Sequence, residues 1–256
     1  MVDFLQIPGY APHMKVLITG VSSGIGRALT IQLIEQGHEV WGVARRADML
    51  AELTSTVVSP RLHVAPCDVK DAAHVTAVAA EMRTAGFIPD VVVLNAGVFI
   101  SDIHGGFHFD AHQESFDINL NGALRWVAEF LPDFLARGAG TFIAVSSTAA
   151  FRPSGSASYS GSKAALSMAF RQFAMSFADT GITFSTVHFG PIDTRLWPGR
   201  RFFLVPSSGR AAAYVARMFD RPSGSYFFPS ITTTLLRLSF FVPDRVFRFF
   251  ARYLRP

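Results

Sequence analysis

The sequence predicts an α/β protein built on a doubly wound parallel sheet, with helices on both faces. Short runs rich in Val and Ile recur between longer stretches of helical apolar spacing, the alternation expected of successive βαβ units. The runs are apolar on consecutive residues, as strands covered from both sides must be. A glycine-rich turn follows the first run directly.

In chain order the predicted strands are KVLIT (15–19), EVWGV (39–43), RLHVA (61–65), DVVVL (90–94), TFIAV (141–145) and ITFSTV (182–187). Between them, segments such as RALTIQLIEQ and AAHVTAVAAEMRTA place apolar residues near i, i+3, i+4 and i+7, the stripe of an amphipathic helix. No linker or low-complexity tract marks a boundary, so residues 1–256 read as a single domain. Residues 1–13 form an extension ahead of the first strand, and residues 191–256 read as a loop followed by a helical, basic and aromatic-rich C-terminal extension. A chain of this length buries about 70–75% of its unfolded surface.

Half of the residues are hydrophobic and 16% are charged, a composition that excludes a disordered majority. One cysteine, Cys67, cannot close an internal disulfide or build a multi-cysteine zinc site, which fits a reducing, cytoplasmic setting. No apolar run reaches the roughly 18–20 residues that span a bilayer, and the N-terminus lacks the pattern of a secretory signal. Residues 200–256 hold ten Arg and two Asp, a net of +8, whereas residues 1–199 carry a net of −4. Thirteen aromatics lie between Phe202 and Tyr253, interleaved with those arginines. Such a segment fits burial against the core or a sister subunit with Arg facing solvent. It also fits a basic, aromatic surface on an anionic membrane or around a lipid-like substrate. Nucleic acid, which stacks on aromatics, is not an expected partner.

The turn TGVSSGIGRAL brings Gly20, Gly24 and Gly26, with Ser22, Ser23 and Ile25, between the first strand and the first helix. Missing β-carbons there let backbone N–H groups approach a pyrophosphate at the positive end of the helix. This context, strand then turn then helix, makes the fold Rossmann-like and marks a dinucleotide site. The second strand ends VWGVARR, with Ala44 where an acid would receive the ribose hydroxyls of NAD(H), followed by Arg45 and Arg46. Guanidinium groups match a 2′-phosphate in charge and geometry, so NADP(H) is expected over NAD(H).

The stretch YSGSK places Tyr159 and Lys163 four residues apart, on one face of a helix. A phenol titrates near pH 10, and a neighbouring ammonium favours the phenolate, bringing the group toward use as a general acid or base. HGGFHFDAH spaces His104, His108 and His112 four apart around Asp110, which superficially suggests a metal face. Gly105–Gly106 argues against a continuous helix there, and no metal is expected.

Together these residues resemble the short-chain dehydrogenase/reductase family from Lys15 to about Leu196. The family's TGxxxGxG turn appears as TGVSSGIG, its Asp-Val as Asp68–Val69, and its NNAG motif as LNAG, with Asn95, Ala96 and Gly97. Asn119, Ser147, YxxxK and the Gly190, Pro191, Thr194 set follow in order. Leu94 departs from the first Asn of NNAG, and the family's proline–glycine pair is partly reversed in HFGPIDT. The serine could be Ser146 or Ser147; family spacing and strand alternation favour Ser147.

The resemblance implies an oxidoreductase interconverting a carbonyl and a secondary alcohol, on an apolar or lipid-like small molecule. Tyr159 would transfer the proton, Ser147 would hold the substrate oxygen, Lys163 would lower the tyrosine's pKa and bind a ribose, and Asn119 would position a water. Asn95, Ala96 and Gly97 would lie along the adenosine ribose and Asp68 with Val69 at the adenine, while Pro191, Ile192 and Thr194 would meet the nicotinamide carboxamide. Residues 192–230 and the histidine-rich loop would shape the substrate pocket. A homodimer or homotetramer through helices near 111–137 and 155–178 is implied as well. The rival reading is a non-catalytic NADP(H)-binding sensor or scaffold; Ser147, Tyr159 and Lys163, all present, argue against it.

Overall fold

A computed structural model describes residues 13–153, 155–194, 196, 205–220, 224–243 and 245–246. The extension up to residue 12, and tail aromatics such as Phe202, Phe203, Phe247, Phe249, Phe250 and Tyr253, lie outside the described residues.

Seven strands form one sheet: β1 (Lys15–Thr19), β2 (Glu39–Ala44), β3 (Leu62–Pro66), β4 (Val91–Leu94), β5 (Gly140–Ser147), β6 (Ile182–Phe189) and β7 (Gly224–Phe228). Their order is β3-β2-β1-β4-β5-β6-β7, and every pairing is parallel. The chain runs outward one way from β1 and then outward the other way from β4, so a crevice opens beyond the carboxyl ends of these two strands.

Side-chain alternation along the strands divides the core. Leu17, Val92, Phe142 and Phe184 face one layer with Trp126, Phe130, Phe134 and Phe170. That layer contains α3 (Ala72–Thr84), α5 (Gly122–Arg137) and α6 (Ala157–Ser176). Val16, Ile18, Val93, Ile143 and Val187 face the other, with Leu29, Leu33, Leu50, Ala211 and Val215. These belong to α1 (Gly24–Glu35), α2 (Ala47–Thr56) and α7 (Ser208–Arg217). The fold is thus Rossmann-like with helices on both faces, as expected, and the six predicted strands form to within one or two residues. The seventh was not predicted: β7 is short and at the edge, with Gly224 and Ser225 exposed, so it lacks the apolar run of a covered strand.

The helix expected from residue 111 is composite. It begins as α4 (Phe109–Phe116), passes through a π-helical stretch at Asp117–Asn121, and continues as α5. The extra residue that a π turn inserts re-aims one side chain, a device common at functional sites; here it carries Asn119, which has no solvent exposure. After β7 the chain forms α8 (Ser230–Leu238) and a 3-10 turn at Ser239–Phe241. Arg152, between β5 and α6, donates to Ser239 Oγ at 3.2 Å and to the Val242 carbonyl at 2.8 Å, which pins this C-terminal segment to the β5–α6 connection. No described helix is long and apolar enough to cross a membrane.

Candidate active site

The glycine turn and the end of β4 are stitched together by a threonine and an asparagine. Thr19 Oγ1 accepts the backbone N–H groups of Asn95 and Ala96 at 3.0 and 2.9 Å. Asn95 Nδ2 donates to the carbonyls of Thr19 and Gly20 at 2.9 and 3.2 Å. The Asn95 amide nitrogen therefore holds the turn, a structural task not foreseen for a residue expected along a ribose. Gly24 adopts φ +59°, and a Cβ on it would touch Thr194 Cγ2 at 3.4 Å. That left-handed conformation suits glycine, and the contact brings the turn and the segment after β6 together across the crevice.

Arg46 precedes α2 and folds back over the turn, its Nη2 donating to Ser22 Oγ at 2.9 Å and to Ser23 Oγ at 3.4 Å. Arg45 is exposed. Ala44 leaves the end of β2 without a carboxylate. A cationic fork beside a backbone cradle, with no acid nearby on β2, fits a dinucleotide bearing a 2′-phosphate. Two other expected cofactor contacts turn their side chains away. Val69 packs under α5, where a Cβ on Gly122 would meet its Cγ2 at 2.7 Å, and Ile192 is buried in the α1/α7 core. Any cofactor contact at these two positions falls to the backbone. Asp68 Oδ1 caps the turn behind β3 by accepting the Lys70 N–H at 3.0 Å, and Pro191 is half-buried behind β6.

Ser146 and Ser147 are separated by strand alternation. Ser146 is buried, its hydroxyl engaged by the Lys163 carbonyl at 3.2 Å and Ser167 Oγ at 2.8 Å. Ser147 ends β5, accepts the Ala149 N–H at 3.1 Å, and shares a side-chain hydrogen bond with Tyr159. Phe99 packs on the Tyr159 ring, centroids 5.1 Å apart. Lys163 lies beneath, only 3% exposed, its Nζ donating to the Val145 carbonyl at 2.8 Å. A Cβ on Gly97 would stand 3.3 Å from that Nζ and 3.2 Å from Asn119 Oδ1, so the chain after β4 runs directly over both groups.

The electrostatics correct one expectation. Burial raises the Tyr159 pKa above its ordinary value, and the Ser147 hydrogen bond only partly offsets this. Burial lowers Lys163 to about 8. The lysine's ammonium reaches a backbone carbonyl and is itself poorly stabilised as a cation, so among the protein's own groups it does not depress the phenol. Asn119 also holds the backbone. Its Oδ1 accepts the Val98 N–H at 2.8 Å, and its Nδ2 donates to the Val98 carbonyl at 3.0 Å and to Ser162 Oγ at 3.1 Å. Both amide N–H groups are spent, so the side chain fixes the backbone between Gly97 and Phe99, and it can hold a water only through the remaining Oδ1 lone pair.

Sequence reasoning missed Asp102. This carboxylate has no solvent exposure and accepts the backbone N–H groups of Ala157 and Ser158 at 2.9 and 2.7 Å. It caps the helix that carries Tyr159, together with Ser156, whose Oγ accepts the Tyr159 N–H at 3.1 Å. On its other side, His112 Nδ1 stands 3.6 Å from Asp102 Oδ2, and the imidazole stacks on Phe116 at 4.6 Å. No local signal marks Asp102, because its partners lie 55 and 56 residues away. Among the described residues, no three His, Cys, Asp or Glu side chains are placed to hold a metal ion.

A doubly wound parallel sheet with a glycine turn at its switch point defines a dinucleotide-binding α/β domain. The family profile described as short chain dehydrogenase matches residues 14–201, and the chain belongs to that family. An uncharacterized oxidoreductase of Staphylococcus haemolyticus is 32% identical over 179 residues, 70% of this chain and 78% of the relative. An uncharacterized oxidoreductase of Myxococcus xanthus is 29% identical over 250 residues, 95% of this chain and 98% of the relative. The crystal structure of a short-chain dehydrogenase from Streptomyces avermitilis superposes with a TM-score of 0.79 at 23% identity, covering 94% of this chain and 96% of that one. The chain is therefore an oxidoreductase of the short-chain dehydrogenase family, whose members use NAD(P)(H) on small molecules.

Proposed function

We propose that this chain is an NADP(H)-dependent oxidoreductase interconverting a carbonyl and a secondary alcohol on an apolar small molecule. The observation that carries this reading is the hydrogen-bonded Ser147–Tyr159 pair at the end of β5, walled by the Phe99 ring and underlain by Lys163. The Arg46–Ser22 fork beside the glycine turn supports the preference for a 2′-phosphate.

The cofactor, when bound, supplies or receives the hydride. Ser147 donates a hydrogen bond to the substrate oxygen and holds it in line with the phenol. In the reducing direction Tyr159 gives its hydroxyl proton to that oxygen, and in the oxidising direction it takes the proton back. A phenol kept protonated by burial suits the donor role at neutral pH. Lys163, with a pKa near the working range, can return a proton toward the phenol. Phe99 excludes water on one side of the ring and selects apolar substituents. The exposed Met168 and Met175 on the outer face of α6, and Leu135 on α5, support association of copies through these helices, as expected from the resemblance.

NADPH consumption over a panel of apolar ketones and aldehydes tests the reading. Tyr159→Phe should lower turnover by about 10²–10⁴-fold while NADPH binding, followed by its fluorescence, stays within about threefold. Full activity in that variant overturns the mechanism. NADPH binding by the parent chain without consumption of any substrate assigns it to the sensor or scaffold class instead.

A further inference from the structure

We propose that the active-site edge of this domain docks on an anionic lipid bilayer, with the cleft mouth facing the membrane. Among the described residues, twelve large apolar side chains are exposed, and eight lie on segments that follow β4, β6 or β7. In an all-parallel sheet every such segment leaves at the carboxyl edge, where the crevice opens. Ile103, Phe107 and Phe109 come from the loop after β4, with Phe109 62% exposed. Leu238, Phe241 and Val246 come from the end of α8 and beyond, with Phe241 82% exposed. The bonds of Arg152 to Ser239 and Val242 hold that second group on the β5–α6 connection, beside Ser147 and Tyr159. Large apolar side chains left exposed in this number at one edge mark a surface for a partner.

Charge decides which partner. Arg237 and Arg245 are exposed on the same C-terminal segment as Leu238, Phe241 and Val246. From Arg237 to Arg255 the sequence holds five Arg against one Asp. Aromatic and aliphatic side chains interleaved with arginine suit the interface of an anionic bilayer, where the rings enter the acyl boundary and guanidinium groups meet the phosphates. A second copy of the chain would bring Arg237 and Arg245 against the same two exposed cations, a like charge that opposes self-association through this face. Docking in this pose lets an apolar substrate pass from the bilayer to the cleft. The docking itself does not depend on the proposed chemistry, and its test reads binding alone.

The full chain is floated with vesicles of phosphatidylcholine containing 30% phosphatidylglycerol, and with pure phosphatidylcholine, at 0.1 and 0.5 M NaCl. The proposal expects flotation with the anionic vesicles that falls several-fold at high salt and several-fold on pure phosphatidylcholine. The double variant Leu238→Ser, Phe241→Ser should bind about tenfold or more weakly, and Arg245→Glu several-fold more weakly, with thermal unfolding midpoints kept in both. Absence of flotation with anionic vesicles overturns the proposal, as does equal flotation of the parent and the double variant. A dimer in light scattering that the double variant abolishes also overturns it, by assigning the face to a second copy.

Discussion

Asp102 and Ser158 meet at 2.7 Å, the carboxylate of a loop after β4 receiving the backbone N–H of the residue just before the catalytic-helix tyrosine. The first N–H groups of a helix have no partner within it, and here a buried negative charge both satisfies them and complements the positive end of the helix dipole. Burial alone would push this carboxyl upward. The Ser158 N–H, the hydroxyls of Ser156 and Ser158 and the Ala157 N–H outweigh it and hold the pKa at about 2.

Replacing Asp102 should therefore loosen the catalytic helix at its start. Asp102→Asn turns an amide donor toward backbone donors and should destabilise the protein by about 3 kcal/mol, the range of a lost hydrogen bond to a charged group. Since the folded pKa lies below the ordinary value, this contribution is present above pH 4 and is lost as pH falls toward 2. Urea unfolding and steady-state kinetics check both sides: kcat should fall about tenfold with NADPH affinity unchanged, because the turn that binds the cofactor is untouched.

Lys163 costs stability that its removal should return. Its folded pKa of about 8 lies below the ordinary 10.5, so between those values the unfolded chain holds the extra proton and stability rises with pH. Lys163→Met should gain on the order of 3 kcal/mol at pH 7, less whatever the lost bond to Val145 contributed. That advantage should shrink on going to pH 10, while turnover is lost. Paired denaturant titrations at the two pH values measure the difference.

His188 acts at the acid end. It is 2% exposed, lies between Phe151 and Phe227 with ring centroids 4.8 and 4.9 Å away, and burial first, then Arg237 and Arg171, lower its pKa to about 4 against a hydrogen bond to the Ser147 backbone. The neutral imidazole's stability is present above pH 6.5 and is lost as pH falls to 4, on the order of 3 kcal/mol. His188→Phe keeps an aromatic ring in the stack and should narrow the difference in denaturant midpoint between pH 6.5 and pH 4.5 relative to the parent chain, with buried His38, also lowered by burial, leaving a remainder.

Arg46 should set the choice of cofactor. Arg46→Ala removes the guanidinium held over Ser22 and Ser23 and should weaken NADPH binding by about 10–100-fold, the worth of one charge-assisted hydrogen-bonding group. NADH binding should change by less than about threefold. Arg45→Ala, at an exposed position, should have the smaller effect on NADPH. Fluorescence titration with both nucleotides reads all three expectations.

The strands of the interior and the glycine turn were legible because each rests on neighbours in the chain. An apolar run, a turn before a helix and a Tyr–Lys pair four residues apart all follow from local period. The choice of Ser147 over Ser146 rested on period two together with the family's spacing to the tyrosine. β7 escaped because an edge strand with an exposed beginning carries no such pattern. Asp102, His188 and Arg152 escaped because these hydrogen-bond and ring partners are 37 to 90 residues distant.

Order and spacing along the chain determined the sheet and the glycine turn and singled out Ser147, Tyr159 and Lys163 as candidates. The tertiary structure alone decided their charge states and what holds them. Desolvation is summed over every segment that closes around a group, so folding pushed the phenol up and the lysine down, against the expectation from spacing. It also spent the Asn119 amide N–H groups on Val98 and Ser162.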